Sequence, residues 1–185
     1  MGIKAATGKD AGTDTWLTPR ALLEALGAFT LDPCCPAAMP WRTASQMWTN
    51  EHEAPSPANK WLPMIVTPCL VSSGLDLPWR GRVWCNPPYS APLPWIEKMA
   101  SHRDGAVLVS ARGTETRWGQ ALLSTADGVF FFARRLVFHY VDGTPADTTW
   151  QPSMLGVYGG RTLAIATRLP SHGYNGVLMM RKALQ

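Results

Sequence analysis

Between Arg82 and Phe132 the chain repeats one pattern twice: an apolar run, apolar residues at helical spacing, and a second apolar run. Arg82-Val83-Trp84-Cys85 reads as a strand that Pro87 and Pro88 must end. Leu93, Ile96 and Ala100 then recur at helical spacing, and Ala106-Val107-Leu108-Val109 is a second strand. A helix beginning near Thr114 and marked by Trp118, Ala121 and Leu122 leads to the strand Val129-Phe130-Phe131-Phe132. Two such units in succession predict a parallel sheet with crossover helices, because parallel neighbours cannot be joined by a tight hairpin.

The flanks extend this α/β reading. Thr18 followed by Pro19 is a helix start, a hydroxyl cap with proline at the first helical position; Leu22, Leu23 and Leu26 share a face, and Gly27 ends the helix. Phe29 to Asp32 reads as a buried strand whose C-terminal tip carries a carboxylate. From Pro33 to Gly74 prolines are frequent and periodicity is lost, which predicts an irregular lobe with one or two short strands inside a single domain spanning residues 1–185. Leu136 to Tyr140 and Met154 to Tyr158 flank a turn-forming segment with Asp142-Gly143 and Pro145, so an antiparallel strand pair is expected to close the C-terminal part.

Composition narrows the function classes. Charged residues are 16% of the chain against about 25% in ordinary globular proteins, so excess charge does not prevent folding. The net charge is +4, and most of the cations are arginine, which suits forked contacts to phosphate, although genomic codon bias leaves the same signature. The apolar stretch from Trp61 to Val71 is interrupted by prolines and falls short of the roughly 20 residues of a membrane span, and the N-terminus lacks an apolar signal core. A cytoplasmic protein without membrane contact is expected. Cys34, Cys35, Cys69 and Cys85 show no Cys-x-x-Cys spacing and the histidines are scattered, so neither a metal site nor a disulfide framework is expected.

The chemistry concentrates in Asn86-Pro87-Pro88-Tyr89, after a strand and before a helix, where open α/β sheets place their sites. A ring-conjugated amine is a poor nucleophile because its lone pair is delocalised. If the Asn86 side-chain oxygen and the Pro87 carbonyl each accept one N–H, the nitrogen is drawn toward tetrahedral geometry and can attack a sulfonium methyl. Pro87 and Pro88 hold that carbonyl rigidly and donate nothing themselves, and Tyr89 offers a flat face for a planar substrate. The plain alternative is a proline-rich turn that merely ends a strand.

The tetrad resembles the catalytic motif of S-adenosylmethionine-dependent amino methyltransferases, which act on adenine in nucleic acids and on glutamine in proteins. Asp14-x-Trp16-x-Thr18-Pro19, Phe29-x-Leu31-Asp32, Asp76 with Trp79, Trp95-Ile96-x-Lys98, Ala111-Arg112-x-Thr114-x-Thr116-x-Trp118, Arg135-Leu136-x-Phe138 and Pro152-Ser153 together resemble the phage-type DNA adenine methyltransferase (Dam-like) family, over about residues 14–160. The resemblance implies a Rossmann-like class I methyltransferase fold: a mostly parallel sheet, flanking helices and an antiparallel C-terminal strand pair. It implies that Thr18, at a helix N-terminus, meets the cofactor's carboxylate, with Pro19 beside it in the cofactor site, that Asp32 meets its ammonium or ribose hydroxyls, and that Asp76 accepts from its adenine amine. Trp16 would pack over the cofactor and Cys34 lies along its loop, although Asp32 to Ala38 lacks the glycines usual in nucleotide-binding loops. Each residue also has a structural alternative: a cap for Thr18, turns for Asp32 and Asp76, core for Trp16.

Double-stranded DNA is the partner this reading requires, with the target adenine rotated out of the duplex. In a parallel sheet Arg112, Arg117, Arg134 and Arg135 follow strand ends on the tetrad's side and would hold flanking phosphates; Ser90 and Thr116 are further candidate DNA contacts. Trp41, Trp48 and Trp61 would either stack on bases or form a local core. The alternatives are the same chemistry on RNA or a protein glutamine, and an inactive basic DNA-binding relative. The small surface left for base readout predicts a short or relaxed target sequence unless a dimer doubles it; oligomeric state is not legible.

Overall fold

The computed structural model describes residues 16–36, 39–49, 70–71, 74–146 and 151–181. Eight strands form one sheet in the order β3-β2-β1-β4-β5-β7-β6-β8. These are β1 (Leu31–Asp32), β2 (Gln46–Thr49), β3 (Leu70–Val71), β4 (Val83–Cys85), β5 (Gly105–Ser110), β6 (Gly128–Phe132), β7 (Ser153–Tyr158) and β8 (Gly176–Met180). β1 to β5 run parallel, whereas β7 is antiparallel to both of its neighbours, β5 and β6. This is the Rossmann-like methyltransferase arrangement, with β8 added antiparallel on β6.

Alternation along the strands sends side chains into two cores. Trp84, Ala106, Leu108, Phe130, Leu155 and Val157 meet helix α1 (Arg20–Leu26) and α4 (Gly160–Ala166) on one face. Val83, Cys85, Val107, Val109, Val129 and Met154 meet α2 (Leu93–His102) and α3 (Arg117–Thr125) on the other. Adjacent strand residues therefore serve opposite layers, as a period of two requires.

Both predicted strand-helix-strand units are present, with one topological difference. β6 runs in the direction of β5 but does not pair with it, because β7 lies between them. All six residues of β7 are buried, so this strand needs a neighbour on each side, and an interior position supplies both. The expected pairing of Met154–Tyr158 with Leu136–Tyr140 does not form. Residues 136–140 are no strand; His139 makes only isolated bridges to Leu17 and Pro145. β2 and β3, from the stretch expected to be irregular, join the sheet beyond β1. Residues 37–38, 50–69 and 72–73 of that lobe, Trp61 and Cys69 among them, lie outside the described residues. No described helix is long and apolar enough to cross a membrane, and the described residues hold no group of three metal-ligating side chains.

Candidate active site

The strand order reverses between β1 and β4, which pair in parallel with Leu31 opposite Val83. A crevice outside the C-terminal ends of two such strands is where open α/β sheets bind ligands. Asp32 ends β1 and Asn86 follows the end of β4, so the fold brings the two candidate centres to one place.

Asp32 is only 3% exposed. Its carboxylate accepts from the Thr43 hydroxyl at 2.5 Å and from the Cys34 backbone N–H at 3.1 Å. Burial nevertheless dominates and pushes its pKa up to about 6, against the opposing pull of these bonds. A buried carboxylate with no counter-charge is costly even when hydrogen-bonded, and a cationic ligand is the chemistry that would offset the cost. Cys34 Sγ lies 3.5 Å from Cys85 Sγ and accepts from the Asn86 backbone N–H, which ties the loop after β1 to the tetrad. Burial and the neighbouring Cys85 push the Cys34 thiol well up.

The absent glycine in the loop after β1 has a counterpart elsewhere in the chain. A Cβ on Gly74 would stand 1.9 Å from the Pro33 carbonyl oxygen, so only glycine permits this approach. The contact seats the turn that carries Asp76 against the loop beginning at Asp32. Lys98 donates to the carbonyls of Leu75 and Leu77 and Trp79 Nε1 donates to that of Gly74, at 2.7 Å. Asp76 itself is exposed on this braced turn.

Asn86 is the most informative side chain. Its Nδ2 donates to the Trp16 carbonyl at 2.8 Å, while its buried Oδ1 has no partner among the described residues. A buried acceptor left unmet is uncommon in native structures and points to a ligand donor. The Pro88 carbonyl accepts from Ala91 N–H at 3.2 Å, closing the turn toward α2, whereas the Pro87 carbonyl takes no bond from the described residues. Two acceptors thus stand open at adjacent positions.

The segment bearing Trp16 is held by Leu17, whose N–H and carbonyl both bond His139, at 2.9 and 3.0 Å. The Trp16 ring lies 5.9 Å from Tyr140, an aromatic neighbour with no distinguishing sequence signal. Thr18 is buried but does not cap α1; Pro19 occupies the cap position and makes no side-chain bond. Its predicted capping role is thereby corrected, since the chain enters the helix one residue later.

Tyr89 borders a cavity of about 170 Å³ whose walls include Ser110, Arg112, Gly113, Trp118 and Gln151. That volume is below the roughly 300 Å³ of drug-sized sites and suits one flat ring. The Trp118 ring packs where a Gly113 side chain would stand, which explains the glycine. Thr116 is a helix cap: its hydroxyl donates to the Gly113 carbonyl at 2.6 Å and accepts from Gly119 N–H at 3.1 Å. That hydroxyl is therefore engaged within the fold rather than offered to DNA. Ser90 is exposed beside Tyr89.

Arg112 follows β5, and Arg134 and Arg135 follow β6; all three are exposed at the same sheet edge as the tetrad. β6 stands three strand spacings from β4, about 14 Å, because β7 intervenes. Arg117 is exposed at the start of α3. Trp48 is buried in the core and cannot stack on a base, while Trp41 packs edge-on against His139. Sequence reasoning missed Thr43 and Gln151; the only signal for Gln151 was its place before Pro152-Ser153.

A family model described as DNA N-6-adenine-methyltransferase (Dam) matches residues 5–158. A search of curated proteins and a search of solved structures each returned no match.

Proposed function

The chain belongs to the DNA N-6-adenine-methyltransferase (Dam) family, and we infer that it methylates the exocyclic amine of an adenine rotated out of duplex DNA. Membership of that family implies DNA adenine N6-methylation dependent on S-adenosylmethionine. The observation that carries the reading for this chain is the buried, unpartnered Asn86 Oδ1, aligned by the Nδ2 bond to Trp16.

The donor set fits the cofactor. Asp32, a buried carboxylate ionised at neutral pH, would hold the ammonium or ribose hydroxyls; Asp76 on its braced turn would accept from the adenine amine. Trp16, Thr18, Pro19 and Cys34 complete the proposed pocket. Bound there, S-adenosylmethionine supplies a methyl group made electrophilic by a positively charged sulfur.

The protein's own part is to prepare the amine. Asn86 Oδ1 and the Pro87 carbonyl each accept one N–H, which loosens conjugation with the ring and exposes the nitrogen lone pair. The paired prolines keep the second acceptor from relaxing, and Tyr89 stacks on the base. Preorganised acceptors of this kind cost no reorganisation when charge develops on the nitrogen. Arg112, Arg134 and Arg135 hold phosphates flanking the vacated position, with Ser90 at the rim. We place this machinery in a single domain with a short or relaxed target sequence.

The test is direct. Plasmid DNA from an adenine-methylation-deficient host, incubated with the purified protein and S-adenosylmethionine and digested to nucleosides, is expected to contain N6-methyladenine. A product found only in RNA or protein, or none, overturns the assignment.

A further inference from the structure

We propose that Gln151 reads the ring edge of the target adenine, donating its side-chain amide N–H to a ring nitrogen beside the reacting amine. The inference rests on the reading of the site given above. With Asn86 and Pro87 taking both amine hydrogens, the groups still exposed on that edge are ring nitrogens, which only accept. A donor is needed to recognise them.

Gln151 is the neutral amide on the wall of the cavity beside Tyr89. It is half-buried and its backbone is set by Pro152, whose carbonyl accepts from Ala111 N–H at 2.7 Å. The side chain thus projects from a fixed point at the end of β5. Arg112 shares the wall but is exposed and charged, and suits a phosphate better than an uncharged ring.

The strand ends beneath this wall are polar as well. Ser153 is 1% exposed and its hydroxyl has no partner among the described residues. It pairs across β5 and β7 with Ser110, which lines the cavity, so both side chains leave the same face of the sheet. Gln151 thus presents an amide on the cavity wall from the segment that enters β7, two residues before a buried hydroxyl. A ring with different edge groups leaves the Gln151 amide unsatisfied, and polar groups left without partners discriminate between substrates.

The test couples protein and substrate changes. Steady-state methylation is measured on oligonucleotides whose target base is adenine, 1-deazaadenine or 7-deazaadenine, with wild type, Gln151→Ala and Gln151→Glu. Gln151→Ala is expected to lower kcat/KM on adenine about tenfold, the weight of one hydrogen bond. Whichever deaza base lacks the contacted nitrogen should then cost the wild type about tenfold more than it costs either variant. The analogue's intrinsic effect on amine reactivity is common to all three proteins and cancels in the ratio of ratios. Cofactor affinity and thermal unfolding should be unchanged, and Gln151→Glu, nearly isosteric, keeps the comparison valid should alanine perturb the segment. Ratios of ratios near one for both analogues overturn this inference alone. Absence of N6-methyladenine from the wild type overturns the reading of the site and this inference with it.

Discussion

The Asn86 side chain donates to the Trp16 backbone carbonyl at 2.8 Å, across seventy positions of sequence. This bond fixes which way round the amide sits, because a carbonyl can only accept. The oxygen is thereby left buried and without a partner among the described residues, as the proposed contact with the target amine requires. We expect Asn86→Ala to lower kcat by ~10²–10³-fold, the usual loss for one preorganised hydrogen-bonding group, with S-adenosylmethionine affinity nearly unchanged. Single-turnover kinetics and calorimetry check the two halves separately.

Asp32 should trade stability for binding. Its folded pKa of about 6 lies above the ordinary 3.8, so the folded state favours the protonated form. The sign follows from proton uptake: its stabilising contribution is complete below the unfolded value and is lost as pH rises from about 4 to 6. Asp32→Asn removes a penalty on the order of 2–3 kcal/mol and should raise the melting temperature of the ligand-free protein at pH 7.5. The same variant should bind S-adenosylmethionine more weakly by ~1.5–3 kcal/mol. Scanning calorimetry and titration calorimetry on one preparation test both signs.

A pH profile gives an independent check on the same carboxylate. If the ionised Asp32 holds the cofactor, affinity should be flat above about pH 7 and fall by up to about tenfold per unit below pH 6. In Asp32→Asn the fall should vanish. A wild-type profile flat down to pH 5 would return Asp32 to a structural role.

Cys34 should be a sluggish nucleophile. Burial and Cys85 hold its thiol well above the ordinary range, and only the thiolate reacts. At pH 8 iodoacetamide should modify Cys34 at least ~10-fold more slowly in the native protein than in urea. Peptide mass spectrometry over time follows the modification.

Arg112→Ala and Arg135→Ala should weaken DNA binding almost equally for every sequence and reduce the slope of log affinity against log salt by about 0.9 each, as lost phosphate contacts do. Fluorescence anisotropy between 50 and 200 mM salt, together with mapping of methylated adenines, tests this. A five-base-pair or longer motif made by a monomer would overturn the expectation of a relaxed target.

The features legible from the chain alone were those carried by neighbouring residues. Apolar periodicity placed β4, α2, β5, α3 and β6, and the prolines at 87 and 88 marked where β4 stops. Asp32 was legible at a strand tip, and the tetrad was legible because its chemistry lies in four consecutive residues. The rest arose from contacts between distant segments. Whether β7 pairs with residues 136–140 or enters between β5 and β6 depends on burying both of its faces and edges, a condition set by distant strands. Gly74 against Pro33, Thr43 on Asp32, Trp16 on Asn86 and Gln151 beside Tyr89 are likewise meetings of remote segments. Local propensity acts over a few residues, whereas a site at a switch point is assembled by strand order, so its supporting contacts come into being only when the sheet closes.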